Sequence, residues 1–192
     1  MGKTEITPNT RKALCSLKQN GIKICIATGR SFATIPMFEG VVFDAILAFN
    51  GSFCVAGNQV VAKCPIPKED IEIIIENAKR MERPVSIATA EEIVANGSDK
   101  DLEDYFAIAH HRVNVSEKFE EYVDKDVFQI MLGCDLEERK YILKGTKNAK
   151  LAAWWDRAID IIPKEGGKGA AIEQVLAHYK FSKEEAIAFG DG

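Results

Sequence analysis

Long hydrophobic runs are missing from this sequence, and so are clusters of basic residues. No stretch of the 192 residues approaches the roughly 18 consecutive apolar positions that a membrane-spanning helix needs. The first residues, Met1 to Glu5, contain no apolar stretch of signal-peptide type. The formal net charge is −4 and no stripe of Lys and Arg is visible, which argues against a nucleic-acid partner. We therefore expect a globular, cytoplasmic protein that binds neither membranes nor nucleic acids.

Paired cysteines are also absent. The five cysteines are scattered, their number is odd, and none forms a Cys-x-x-Cys motif. Cys15 and Cys25 lie within apolar patterns, so we expect reduced thiols in the core, without a metal or redox role. The other three are Cys54, Cys64 and Cys134.

The first third of the chain has the pattern of an α/β sheet. A capping Thr7 and Pro8 predict a helix that ends near Asn20 and Gly21. Apolar runs predict strands at 22–27 and 45–49, and a hairpin with strands at 53–55 and 60–62. This order is typical of an α/β sheet that lacks its first strand.

From about residue 65 the pattern changes. An amphipathic helix follows Pro67, and strands are predicted at 84–89 and 127–133. Two further predicted strands, 150–155 and 158–162, are expected to return to the first region. The sequence thus predicts a discontinuous α/β core and an inserted α+β unit, with the core formed by 1–62 and 156–192 and the insertion by 63–155.

Three short clusters of polar residues and glycines follow strands or precede a helix. Thr28, Gly29 and Arg30 follow a strand and could form an anion cradle, or an ordinary turn. Lys168 stands among glycines at a predicted helix start, where an ammonium and the helix dipole favour a phosphate; the alternative is a solvated lysine. Asp191, after a predicted strand at 186–189, offers a carboxylate to Mg²⁺ or forms a plain turn. The lysine spacing does not fit a P-loop.

Taken together, these clusters give the sequence a resemblance to the haloacid dehalogenase superfamily, specifically to the Cof-type phosphatases with a large α/β cap. The resemblance covers essentially the whole chain. The matching stretches are Ile24 to Arg30 (ICIATGR), Asn50-Gly51, Asp160 to Pro163 with Gly167-Lys168-Gly169, and Ala186 to Asp191 (AIAFGD).

The resemblance implies a Rossmann-like parallel-sheet core with an inserted cap that selects a small phosphomonoester, often a sugar phosphate. It implies that Thr28 bonds the phosphoryl oxygens and that Lys168 neutralises the phosphoryl group and orients the nucleophilic carboxylate. Asp191 is expected to help hold Mg²⁺. Arg30 and Asn50 are expected to line either the phosphate or the mouth that faces the cap, and Gly29 is expected to take part in binding the substrate.

The sequence departs from this family in two places. The family's first strand ends in Asp-x-Asp-Gly-Thr, which carries the nucleophile and the general acid/base, and no such motif occurs in this sequence. The Asn-Asp pair that follows Gly-Asp-Gly in the family is also absent. We expect a chain truncated at both ends and nearly inactive, since phosphoaspartate formation needs an in-line carboxylate. The alternative is a non-catalytic binding or regulatory protein with the same fold; the adjoining DNA would distinguish the two. The particular substrate and the oligomeric state do not follow from the sequence.

Overall fold

A four-stranded sheet forms the first part of the molecule. The computed structural model describes residues 6–190. The elements of this part are α1 (Pro8–Gln19), β1 (Cys25–Ala27), β2 (Ala45–Ala48), β3 (Phe53–Ala56) and β4 (Gln59–Lys63). The strand order is β1-β2-β3-β4, with β1 and β2 parallel and the other pairs antiparallel. The predicted start of the first helix and the predicted hairpin are both confirmed. The Thr7 side chain accepts a hydrogen bond from the N–H of Thr10 at the start of α1, and β3 pairs with β4.

A five-stranded antiparallel sheet forms the second part. Its strands have the order β6-β5-β7-β9-β8. The elements are α2 (Lys68–Arg80), β5 (Ser86–Ala88), β6 (Ile93–Ala95), α3 (Lys100–Ile108), α4 (Phe119–Val123), β7 (Gln129–Gly133), α5 (Arg139–Ile142), β8 (Ala149–Ala152) and β9 (Ala158–Pro163). Strand β6 and helix α4 were not predicted from the sequence.

The two faces of this sheet have different neighbours. Ile159 and Ile161 of β9 belong to a core that also includes residues of α2, α4 and α5. Met131 of β7 faces the other way, into a cluster with Phe106 of α3 and Phe49 from the end of β2. The second face of the sheet is therefore the one that packs toward the first sheet.

The expectation that β8 and β9 return to the first region is wrong. Strand β9 pairs with both β7 and β8, so both strands belong to the second sheet. Their alternating apolar pattern identifies a strand but not its partner, because partner choice is a long-range property. The predicted domain boundary at 155/156 consequently falls inside the second sheet, between β8 and β9.

Helix α6 (Lys168–Tyr179) returns the chain to the first sheet. Ala171 and Val175 pack there against Leu47 of β2 and Cys54 of β3. The strand predicted at 186–189 is not formed: within residues 6–190 these positions pair with no strand. Ile187 is 82% exposed. An apolar run forms a strand only where a neighbouring strand satisfies its backbone N–H and C=O groups, and the run at 186–189 has no such neighbour among the described residues.

The cysteines are all free thiols, as expected, but only some lie in the core. Cys54 and Cys134 are buried, whereas Cys25 is exposed. Burial raises the pKa of the Cys54 thiol to about 11 and that of Cys134 to about 12. Across positions 6–190, no helix has the length and apolar character that a membrane crossing requires.

Candidate active site

The turns that follow β1 and β2 lie side by side at one end of the first sheet. The N–H of Thr28 donates to the carbonyl of Leu47 at 2.9 Å, and the N–H of Asn50 donates to the carbonyl of Thr28 at 2.9 Å. The N–H of Phe49 donates to the carbonyl of Arg30, again at 2.9 Å. These bonds exist because β1 and β2 are parallel, so their carboxyl ends meet at the same edge. Thr28 and Asn50 are therefore neighbours.

The turn that carries Asn50 has a strained backbone. Phe49, Asn50 and Gly51 all have positive φ, at 49°, 56° and 92°. Left-handed backbone costs about 1–2 kcal/mol at a residue with a side chain, and Phe49 offsets this by full burial, stacked on Phe128 at 5.3 Å between ring centroids. Such strain is often kept at functional sites.

Gly29 allows the Asn50 side chain to approach the first turn closely. A Cβ atom placed on Gly29 would lie 3.1 Å from Oδ1 of Asn50. The amide of Asn50 is thus held against the backbone that follows Thr28. The hydroxyl of Thr28 accepts a hydrogen bond from the N–H of Arg30 at 3.1 Å, which fixes the shape of the turn.

Helix α6 begins directly beside these two turns. A Cβ on Gly51 would lie 2.6 Å from the carbonyl oxygen of Gly167 and 2.8 Å from Cβ of Ala171, so only a glycine permits this contact. Gly167 is the N-cap of α6, makes no side-chain cap, and precedes Lys168. The first turn of α6 contains no acidic residue. A helix start of this kind favours an anion.

The predicted site residues thus fall into two groups. Thr28, Gly29, Arg30 and Asn50 are brought together by direct contacts, and Lys168 joins them through the contact of Gly51 with Gly167. Lys168 and Arg30 are exposed, and within residues 6–190 neither side chain is paired with a carboxylate. Asp191 lies outside the described residues.

A magnesium site is not formed by the described part of the chain. In that part, no group of three or more His, Cys, Asp and Glu side chains could hold a metal ion. The predicted ligand Asp191 is not among the residues searched, so the Mg²⁺ expectation stays a prediction.

A buried polar cluster that sequence reasoning missed lies on the second sheet. Asp160 is only 5% exposed, and the hydroxyl of Tyr105 donates to its Oδ1 at 2.5 Å. Burial raises the pKa of Asp160, while hydrogen bonds from Tyr105, Gln129 and Trp154 oppose this shift. Asp160 pairs with Met131, which places both side chains on the face toward Phe49 and the first sheet. Its signal was an acidic residue in the middle of an apolar strand.

Comparison with known proteins gives consistent results. The family model described as haloacid dehalogenase-like hydrolase matches residues 2–192. The chain is 30% identical over 190 residues to the Bacillus subtilis (strain 168) protein named "Putative phosphatase YkrA", covering 97% of this chain and 73% of that protein.

Solved structures agree in fold. A hypothetical protein from Geobacillus kaustophilus HTA426 has a TM-score of 0.85 at 26% identity, over 97% of this chain and 73% of that one. The haloacid dehalogenase subclass IIB sugar phosphatase BT4131 has a TM-score of 0.78 at 24% identity, over 94% of this chain and 72% of that one. The second likeness is one of fold alone.

Proposed function

The chain belongs to the haloacid dehalogenase-like hydrolase family, and we propose that its site binds the phosphoryl group of small phosphomonoesters, sugar phosphates in particular. The reaction for which this site is built is Mg²⁺-dependent hydrolysis through a phosphoaspartate intermediate. The proposal rests on one observation above all: the turns carrying Thr28 and Asn50 and the start of α6 at Lys168 are in contact at one edge of the sheet.

The chemistry of these groups suits a phosphoryl dianion. The hydroxyl of Thr28 and the amide of Asn50 donate neutral hydrogen bonds to phosphoryl oxygens. The ammonium of Lys168 and the free N–H groups of the first turn of α6 supply positive charge. Such donors also stabilise the charge that develops during phosphoryl transfer, because they are fixed before the reaction. Arg30 is exposed, and we place it at the mouth of the site.

Two things support a role for Mg²⁺: the predicted ligand Asp191 and membership of the family. A bound Mg²⁺ would supply further charge to neutralise the phosphoryl oxygens. The described residues form no ligand cluster for it, and the phosphate-binding roles of Thr28, Asn50 and Lys168 do not depend on the metal.

The nucleophile is the group this sequence does not supply. No Asp-x-Asp-Gly-Thr motif occurs in its 192 residues. The two Asp-x-Asp pairs present are at other places: Asp99 and Asp101 are paired with Arg83, while Asp124 and Asp126 are paired with lysines, Lys68 and Lys63. Phosphoryl transfer forms a bond from phosphorus to an aspartate oxygen as the bond to the departing alcohol breaks. We therefore propose that this chain binds phosphate esters but hydrolyses almost none.

The second sheet is assigned the role of the cap. Its face toward Phe49 carries the buried polar residues Asp160 and Gln129, and Asp160 accepts hydrogen bonds from Gln129 and from the partly buried Tyr105. The second sheet is also part of the fold that this chain shares with the solved structure of a sugar phosphatase. We place the cap between residue 63 and the end of β9 at Pro163, because β8 and β9 pair within the second sheet.

The test is a panel of phosphomonoesters assayed with Mg²⁺ on two proteins. One is this chain, and the other is the same chain preceded by a strand that ends in Asp-x-Asp-Gly-Thr. We expect turnover only by the second protein, and Lys168→Met in it should lower kcat/KM by about 10²-fold or more, the size of effect that loss of one charge-stabilising group gives. Similar turnover by both proteins would mean that the catalytic carboxylate has been misplaced.

A second candidate is a non-catalytic binding or regulatory protein that keeps this fold. The observation that favours it is the missing Asp-x-Asp-Gly-Thr motif. It would be supported if the protein with the added strand bound phosphomonoesters but hydrolysed none of the panel.

A further inference from the structure

A lysine of the second sheet holds the connection that leads to the candidate phosphate site. The ammonium of Lys150 in β8 donates to the carbonyl of Lys164 at 2.9 Å and to the carbonyl of Gly166 at 2.7 Å. We propose that Lys150 is a positioning residue for Lys168: it fixes the connection between β9 and α6, so that the placement of the second sheet sets the phosphate affinity of the first. The inference rests on the proposed function of Lys168 and adds a control of that same site.

The register of the second sheet directs Lys150 toward this connection. Lys150 pairs with Ile162, one residue before the end of β9. The side chain is half-buried, and its long stem lets the ammonium reach beyond the last residue of the strand. Both acceptors are backbone carbonyls that follow β9. In the same turn the N–H of Gly166 donates to the carbonyl of Pro163 at 3.1 Å. The two hydrogen bonds from Lys150 therefore hold this turn closed.

The turn held by Lys150 is packed against the site. Gly166 is buried, and a Cβ placed on it would lie 2.6 Å from the hydroxyl oxygen of Ser52. That hydroxyl is buried and has no hydrogen-bond partner among the described residues, so Gly166 and Ser52 are held together by packing alone. The next residue, Gly167, touches Gly51 and caps α6. A change in the turn at Gly166 would therefore shift the N–H groups and the lysine at the start of α6.

Lys150 also lies close to the other connection between the sheets. The thiol of Cys64, which follows β4, has a raised pKa because of burial and the charge of Glu165, while Lys150 acts in the opposite direction. The N–H of Cys64 donates to the carbonyl of Ser52 at 2.8 Å. The two connections between the sheets, one after β4 and one after β9, thus both contact Ser52, and both lie close enough to Lys150 to feel its charge. An ammonium placed at this point can couple the second sheet to the phosphate site without touching the phosphate.

The experiment titrates inorganic phosphate into the chain as it exists and follows the ³¹P resonance. Lys150→Met should weaken phosphate binding by about tenfold, because a turn that spends only a tenth of its time in position lowers the apparent affinity by that factor. Lys150→Arg keeps donors for both carbonyls and should stay within about threefold of the wild type. Lys147→Met is the matched control, since it removes the same charge from an exposed side chain three positions earlier and should have no effect.

Further measurements separate positioning from a simple loss of charge. At roughly 0.5 M salt, long-range attraction by exposed charge is screened, but the effect of Lys150→Met should persist. In a Lys168→Met background, Lys150→Met should have a smaller effect than in the wild type, because part of its effect is exerted through the position of Lys168. The amide resonances of Gly166 and Gly167 should shift in Lys150→Met and not in Lys147→Met, and circular dichroism should show that every variant is folded.

The outcomes distinguish this inference from the function on which it rests. If Lys168→Met weakens phosphate binding while Lys150→Met does not, or if the two losses simply add, the positioning role is wrong and the proposed function stands. If the wild-type chain binds no phosphate, or Lys168→Met binds it equally well, the proposed function fails and the role of Lys150 fails with it.

Discussion

Asp160 is a carboxyl group buried on the sheet face that looks toward the site, and its protonation should affect the stability of the whole protein. Burial raises its pKa in the folded protein, above that of a free aspartate near 4. At pH values between the pKa of a free aspartate and the higher pKa of Asp160 in the folded protein, the folded state holds the proton more tightly than the unfolded state. The stability contributed by this group is therefore present at low pH and is lost as the pH rises through the folded pKa.

Replacing Asp160 by asparagine should remove that loss. Asp160→Asn keeps an oxygen that can accept the hydrogen bond from Tyr105, and it cannot ionise. We therefore expect the free energy of unfolding at pH 7 to rise by about 1–2 kcal/mol, which is at the lower end of the stabilisation gained when buried charges are removed. Near pH 4 the gain should shrink. Urea unfolding at the two pH values measures both.

Asp104→Asn provides a control of the opposite sign. The Arg157 guanidinium lowers the pKa of the half-buried Asp104 carboxyl, so the stability that this carboxylate contributes is present above its ordinary pKa and is lost as the pH falls. This variant should be slightly less stable than the wild type at pH 7, and the difference should shrink as the pH falls. A loss of stability at pH 7 in Asp160→Asn would contradict the account of Asp160.

Single residues also show which positions a local sequence pattern can single out. Thr28 and Lys168 could be named in advance because each stands in a short motif at the end of a strand or the start of a helix. Lys150 and Ser52 could not be named, because their importance comes from contacts across 14 or more residues that no local pattern records.

At the scale of elements, the docking of α6 against the turn after β2 holds the site together. Gly51→Ala tests this docking, because its Cβ would lie 2.6 Å from the carbonyl oxygen of Gly167. We expect a loss of about 2–4 kcal/mol in unfolding free energy, from left-handed strain together with overpacking. Chemical denaturation measures it directly.

Gly57→Ala is the matched control for this variant. Gly57 also has a positive φ, of 56°, but nothing lies within 4 Å of its Cβ position. It should lose only about 1–2 kcal/mol, the cost of the backbone conformation. Equal losses in the two variants would show that α6 is not packed against Gly51.

Some helices and strands could be predicted from local sequence patterns, and others could not. Helix α1 was predictable because Thr7 and Pro8 give a local start signal, and the cap hydrogen bond is formed. The partner of β9 was not, since Ile159 and Ile161 would fill the core of either sheet equally well. The apolar run at 186–189 shows the same limit, because strand formation depends on a neighbour and not on the run itself.

For the molecule as a whole, the fold class was accessible from the order of elements and from the family resemblance. The parallel pair β1 and β2 brings together the turns that carry Thr28 and Asn50, two residues that the family resemblance named. The point at which the chain leaves the second sheet was not accessible, because it is set by the pairing of β7 with β9. The role of each site residue stays a prediction until a ligand is observed.

The most direct measurement is a crystal structure of this chain soaked with inorganic phosphate. The account predicts a tetrahedral anion within hydrogen-bonding distance of the Thr28 hydroxyl and the Lys168 ammonium, at the start of α6. An anion bound elsewhere, with the Thr28 and Lys168 side chains directed to separate surfaces, would contradict it.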